Sequence, residues 1–465
     1  MAPTKQLRRT ERPTWAPQTG RARHRPGRAP VAWVANAFAA LGVIGFGLAV
    51  ALAVAGESGG ALSSRGGWWL ASGRLFGFTG SYLLLVMVLL SARLPLLERN
   101  VGQTRLVRWH RLIGGWPIVL IGLHIVTITI GYAQMTRVGP VHQMWVFLIN
   151  YRDILAALVA FVLLVGAGLS SIKAARQKTK YETWWIIHLY TYLALGLAFA
   201  HQIFTGAMFL GHPLTRDVWI AVWASVGLAV VVSRVIVPIV TNLRHQLRVV
   251  DVVESAPGVY SLTMSGKRLS RLAVSGGQFF QWRFLTKTLW LHSHPYSLSA
   301  LPRPPFLRVT VKGLGDQSSA VQHLKPGTRV VVEGPYGKFT SHVCSSDYVT
   351  LIGAGVGITP LRALLEELPK NIQVSVVVRA SSREDIVHRD EVEALVRQRR
   401  GEFHQILGSR HEVSVDATAL RLLVPKLAQG DVYICGPSGF TDQIVAAVQE
   451  LGVSNDQIHH EAFTF

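Results

Sequence analysis

The chain has 465 residues, 49% hydrophobic and 16% charged, with a net charge of +21. So low a charged fraction argues against an all-soluble chain, and two cysteines, Cys344 and Cys435, exclude a disulfide framework or a CxxC metal site. The positive charge falls in the first thirty positions and in short segments between apolar runs, which is the placing of membrane topology, so no nucleic-acid partner is expected.

The stretch 1–30 is rich in Arg and Pro and poor in acids. It is read as a disordered basic cytoplasmic tail, because the apolar run behind it is longer than a signal-peptide core and no convincing cleavage site follows. Six apolar runs come next, at 31–55, 75–92, 112–132, 154–172, 184–204 and 218–240. Each is long enough to cross a bilayer as a helix, so 31–241 is expected to be a six-span helical bundle in membrane lipid. Lys and Arg concentrate in the tail, in the second connection (Arg93, Arg99, Arg105, Arg108) and in the fourth (Lys173, Arg176, Lys178, Lys180). Both termini and the chain after 242 are therefore expected on the cytoplasmic side of the plasma or inner membrane.

Imidazoles inside a span are costly and usually functional. His110 and His124 on the third run are fourteen residues apart; His188 and His201 on the fifth are thirteen apart. The two runs point the same way, so each pair has an inner and an outer member. At ~1.5 Å per residue the separation along a helix is about 20 Å, too far to share one ion. It fits two centres stacked in a hydrocarbon core of ~30 Å. Neutral imidazole suits haem iron as an axial ligand, so two b-type haems are expected, one on His110 with His188 and one on His124 with His201. Fourteen residues return to one helix face, whereas thirteen leave an offset of about 140°. Span five must then tilt, kink near Gly196 or carry a π-bulge, or the two haems sit at different azimuths.

The two histidine pairs, with Trp184-Trp185 leading into the second, resemble the ferric reductase transmembrane domain shared by NADPH oxidases and metalloreductases. Arg74, at the outer end of the second run, resembles an arginine which that family places near the outer haem. There it would pair with a propionate or draw in a small anionic acceptor; an Arg snorkelling to the interface is the alternative.

Past 242 the pattern alternates as strands at 248–253, 258–264, 278–284, 307–312 and 329–333, with turn pairs at Pro257-Gly258, Gly276-Gly277 and Pro326-Gly327. An antiparallel β-barrel over 242–340 is expected. Inside it, His294-Pro295-Tyr296-Ser297-Leu298-Ser299 resembles the segment that the ferredoxin-reductase family lays along FAD. The resemblance implies Tyr296 against the flavin and Ser297 bonded to the ring or phosphates, with His294 and Pro295 beside them. Lys312-Gly313 through Ser318-Ser319 offers small residues, hydroxyls and a helix start suited to a pyrophosphate.

After Asp347 strands alternate with helices, so 341–465 is expected to be an α/β nucleotide-binding domain. An apolar strand at 348–352 runs into Gly353-Ala354-Gly355-Val356-Gly357-Ile358-Thr359-Pro360 and a helical run. Glycines permit close approach and a helix N-terminus favours an anion; the loop is similar to the nicotinamide-binding loop of the same family. The next strand ends at Arg379-Ala380-Ser381, whose guanidinium and hydroxyl groups suit a 2′-phosphate, hence NADPH over NADH. The resemblance sets Cys435-Gly436-Pro437 beside the nicotinamide, with Cys435 ordering the ring for hydride transfer. Phe465, or else Phe463, would stack on the flavin and be displaced by nicotinamide.

The order of parts implies electron flow from cytoplasmic NADPH through FAD and two haems to an outer acceptor. Oxygen, giving superoxide, is the leading expectation, with ferric or cupric reduction as the alternative. No EF-hand loop is present to suggest calcium control. The oligomeric state is left open, a homo-oligomer included.

Overall fold

The computed structural model describes Trp15 and residues 25–463, apart from 56–58, 179–180, 207–208, 210–211, 410–412 and 414. They divide into two compact units: one holds 32–94 and 103–234, the other the residues up to Val31, 95–102 and 235 onward.

In the first unit the helices follow from their composition. A long apolar segment that must satisfy its own backbone polar groups in lipid has only the helix available, and among the described residues six helices are long and apolar enough to cross a membrane. They expose large side chains such as Leu41, Val43, Val162 and Leu193, the reverse of a soluble core. Small residues sit where spans meet. Gly66 has a φ of 83°, and a Cβ there would stand 2.3 Å from the Gly131 carbonyl oxygen. A Cβ on Gly131 would stand 2.7 Å from Leu70, so glycines let spans two and three approach closely.

The fifth span is an uninterrupted α-helix over Tyr181–Thr205, without a kink near Gly196 or a π-bulge, which leaves tilt or different azimuths to meet the thirteen-residue spacing. The third span is the interrupted one, with helices Gln103–Ile113 and Trp116–Thr136 separated at Gly114-Gly115. A π-helical turn does occur, at Val232–Ile236 in the sixth span. Its cause is local: Pro238 has no N–H to return to the Arg234 carbonyl. A further helix, Pro140–Asn150, fills the connection between spans three and four.

Among the described residues of the second unit, eleven strands form three sheets. β1 (Arg248–Ala256), β2 (Val259–Ser265) and β5 (Phe306–Lys312) make one antiparallel sheet; β4 (His294–Ser297), β3 (Phe279–Phe284) and β6 (Val330–Tyr336) make another. Isolated bridges at Arg248–Arg329 and Leu298–Val309 link them. The expected barrel is thus two three-stranded sheets, and among the described residues no continuous ladder closes it. Register shifts within β1 and β3, and the shortness of β4, interrupt the pairing. Their inward residues, including Leu262, Phe280, Trp282, Leu298 and Val309, share one core.

The third sheet is wholly parallel, in the order β11 (Ile458–Phe463), β10 (Asp431–Pro437), β7 (Tyr348–Ala354), β8 (Gln373–Ala380), β9 (Glu402–Leu407). β7 and β10 are buried almost end to end, as strands covered on both faces must be. The order reverses between β7 and β10, so their carboxyl ends border the crevice where α/β sheets bind ligands.

A buried ionic network joins β5 to the helices that follow β7 and β8. Arg308 donates two 2.7 Å hydrogen bonds to Glu391, Arg362 donates to Glu391 at 2.8 Å and pairs with Glu366, and Arg303 meets Glu366 at 2.7 Å. Trp15 joins this network: its ring lies under Arg303 and Arg308 at 5.4 and 4.9 Å, and its carbonyl accepts from Arg362 at 2.9 Å. Arg362 can be fully buried because charged acceptors surround it.

Candidate functional site

The membrane histidines take their orientation from neighbouring spans. His110 Nδ1 donates to the Met87 carbonyl at 3.1 Å, and His124 Nδ1 to the Gly73 carbonyl at 2.7 Å. Met87 and Gly73 lie on span two and are themselves fourteen residues apart. The antiparallel neighbour thus fixes both rings through Nδ1 and leaves each Nε2 as the nitrogen that could take a ligand. Gly77 makes room for this arrangement, since a Cβ there would stand 2.7 Å from His124 Nδ1. Arg74 directly follows the residue that holds His124.

His188 stacks on Trp184 at 5.2 Å, and the Arg176 guanidinium covers Trp184 at 4.8 Å. Its Nδ1 is buried without a hydrogen-bond partner. The His110 and His188 ring centres are 6.1 Å apart, the rings inclined at 64°. An ion taking one nitrogen from each ring at about 2 Å sets ring centres about 6 Å apart, so this pair fits an iron between them. His201, within electrostatic reach of His124, bonds to Thr205 Oγ1 at 2.8 Å and lies 3.4 Å from Asp153. Among the described residues no three or more His, Cys, Asp or Glu converge on one point.

In the second unit, His294 and Tyr296 stand on β4 with stacked rings 5.8 Å apart. Trp282 on β3 holds the strand by donating to the Tyr296 carbonyl at 2.8 Å. His294 Nε2 and the Tyr296 hydroxyl are both buried without a hydrogen-bond partner, and buried polar atoms in that condition are costly unless a ligand satisfies them. Burial pushes the Tyr296 hydroxyl well up and the His294 imidazole down, the latter helped by His292. Pro295 is exposed and Ser297 buried. Lys312 is exposed at the end of β5, and Gly313 donates to the Gly258 carbonyl at 2.9 Å. Ser318 is engaged in its own loop, its Oγ accepting from Leu314 and Gly315 N–H at 2.9 and 3.0 Å.

The nucleotide loop sits at the switch point. Gly353 is the last residue but one of β7, Gly355 takes a φ of 54° with open space beyond it, and Gly357 packs so close to β10 that a Cβ would stand 2.2 Å from the Cys435 carbonyl oxygen. Thr359 and Pro360 are buried in the first turn of the helix Ile358–Glu367. Cys435 pairs in register with Gly353 on one side and Glu461 on the other. Gly436 and Pro437 complete β10. Phe463 is register partner to Pro437; Phe465 lies outside the described residues. Burial, with Glu461 adding to it, pushes the Cys435 thiol well up, and burial raises Glu461 to about 7. Arg379, at the end of β8, reaches the Gly408 and Val413 carbonyls at 3.5 and 3.4 Å, and Ser381 is exposed in the loop after it.

Residues 76–199 match the family described as ferric reductase like transmembrane component, and residues 351–446 match the oxidoreductase NAD-binding domain. The chain thus combines a ferric reductase-like transmembrane component with an oxidoreductase NAD-binding domain. It is a membrane-protein oxidoreductase carrying an NAD-binding domain. The glycine betaine monooxygenase reductase subunit of Pseudomonas aeruginosa is 25% identical over 242 residues, 48% of this chain and 65% of that protein. The flavohemoprotein of Vibrio cholerae is 33% identical over 181 residues, 36% of this chain and 45% of that protein. The chain therefore spans between 45% and 65% of the length of these relatives. Among solved structures, the flavohem-like FAD/NAD binding domain of nitric oxide dioxygenase from Vibrio cholerae is 23% identical with a TM-score of 0.38, over 47% of this chain and 98% of that one. Flavohemoglobin from Malassezia yamatoensis is 15% identical with a TM-score of 0.44, over 87% of this chain and all of that one.

Three residues of this ferric reductase-like chain went unassigned in the sequence. The position of Glu461 opposite Cys435 needs the β10–β11 register. Asp153 opens the fourth span, and Thr205 follows His201 by one helical turn. Thr205 could have been found from the i, i+4 spacing; Asp153 could not, because it comes from another span.

Proposed function

We propose that the chain carries electrons across the membrane from cytoplasmic NADPH to a small acceptor outside. NADPH supplies hydride, FAD divides the electron pair, and two b-type haems pass single electrons, as cofactors do wherever proteins bind them. The observation that carries this reading is the His110–His188 pair: two imidazoles at iron-ligand separation, one already fixed through Nδ1. His124 and His201 would form the outer pair, with Arg74 near it.

The chain's own residues supply position and exclusion. Tyr296, His294, Pro295 and Ser297 offer one wall of the flavin site, and Lys312, Gly313 and Ser318 its phosphate end. The 353–360 loop would receive the dinucleotide pyrophosphate, with Arg379 and Ser381 at the 2′-phosphate. Cys435, Gly436 and Pro437 would order the nicotinamide, and a terminal aromatic, Phe465 or Phe463, would cover the flavin until it arrives. The Lys and Arg bias supports a cytoplasmic reductase domain at the plasma or inner membrane, with lipid around the spans.

Oxygen reduced to superoxide is the leading acceptor reaction. The family match at 76–199 favours ferric or cupric reduction as the second reading. Purified protein with NADPH separates them. Superoxide dismutase-sensitive reduction of cytochrome c supports the oxidase; rapid reduction of a ferric chelate without that signal overturns it. A haem-to-flavin ratio of two supports the whole path, and a protein without a Soret band would sink it.

A further inference from the structure

The four membrane histidines differ in what holds the nitrogen that faces away from the ligand position. His110 and His124 donate Nδ1 to neutral backbone carbonyls, and His188 Nδ1 has no hydrogen-bond partner. His201 alone meets a carboxylate. Its Nδ1 lies 2.8 Å from Thr205 Oγ1 and 3.4 Å from Asp153 Oδ2, and Thr205 Oγ1 lies 2.6 Å from the same Asp153 oxygen. The hydroxyl has one hydrogen and two acceptors in reach, Asp153 at 2.6 Å and the His201 carbonyl at 2.8 Å. The shorter, charge-assisted bond is the stronger one. The chain of donors is therefore His201 Nδ1–H to Thr205, and Thr205 O–H to Asp153.

Asp153 stands in the first turn of span four, beside the last turn of span five. A carboxylate behind a coordinating imidazole makes the ring a stronger electron donor and favours the more positive oxidation state of the metal it holds. We propose that Asp153, acting through Thr205, lowers the reduction potential of the centre held by His201 and so makes the outermost carrier the stronger reductant. This rests on the haem reading given above. Asp153 and Thr205 are positioning residues, for they touch the ligand and not the iron. The arrangement suits a chain that must give single electrons to a poor acceptor, and a carbonyl acceptor would not supply the negative charge.

Spectroelectrochemical titration of the full-length haem-loaded protein tests it. The Thr205→Val and Asp153→Asn variants should each raise one of the two haem potentials and leave the other in place. A tenfold change in the reduction equilibrium, about 59 mV for one electron, is the size expected. Thr205→Ser, which keeps the hydroxyl, should restore the native value. Two unmoved potentials, or two that move together, would overturn the proposal. If one variant loses haem, the other decides: a raised potential there supports the proposal and an unchanged one overturns it. Native protein with no haem transitions would refute the haem reading itself, a result separate from any of these.

Discussion

Cys435 on β10 and Glu461 on β11 are register partners, and burial lifts the Glu461 carboxyl from 4.5 to about 7. A raised carboxyl binds its proton more tightly in the folded chain than in the unfolded one. The stability this lends is full below pH ~4.5 and is lost as pH rises through about 7. Thermal unfolding of the native protein, followed by flavin release, should show a midpoint that falls between pH 5 and pH 8. In Glu461→Gln that fall should flatten. Parallel slopes in the two proteins would mean that the carboxyl is not raised.

Gly77 is the contact point between span two and His124. In Gly77→Ala the new methyl must displace an imidazole that the Gly73 carbonyl already holds. The expected outcome is loss of the outer haem, about half of the Soret absorbance per protein, with the inner haem retained. Gly166→Ala, where a Cβ meets nothing within 4 Å, should leave the spectrum unchanged.

At the nucleotide loop, Gly357→Ala would force Cβ into the backbone of Cys435. Loop and strand must part, and the phosphate-receiving turn goes with the loop. Flavin reduction by NADPH, read by stopped-flow absorbance, should slow at least roughly tenfold. The Gly439→Ala variant has open space at its Cβ and should reduce at the native rate.

Glu391 answers two buried guanidinium groups, Arg308 and Arg362. Glu391→Gln leaves both short of a counter-charge and should cost about 3–5 kcal/mol, seen as a lower thermal midpoint of flavin release. The Trp15 ring under Arg303 and Arg308 adds a smaller contribution: Trp15→Ala should cost about 1 kcal/mol by the same measurement. A Glu391→Gln midpoint within a degree of native would rule the network out as a support.

Much of this was legible because lipid and nucleotides impose strong patterns. Twenty apolar residues in a row permit one backbone conformation, so all six spans can be read from composition. The 353–360 loop is legible because strand, glycine turn and helix follow directly along the chain. What escaped is what neighbours decide. Span five's histidine spacing allowed a break, a tilt or different azimuths, and that helix is unbroken; a break lies in span three, at Gly114-Gly115, where the spacing argument had no reason to look. The barrel was read from strand spacing, but closure depends on registers that bulges in β1 and β3 disturb. Asp153 and Glu461 became visible only through partners on other elements.

The carbonyls of Gly73 and Met87 stand as far apart in sequence as the histidines they hold. Span two thus serves as a ruler for span three. One residue inserted between Gly73 and Met87 would move a carbonyl by about 1.5 Å along the helix and turn it by about 100°, enough to leave one imidazole unguided. Such a change is tolerable only with a matching one between His110 and His124. The two segments are bound to vary in length together, or not at all.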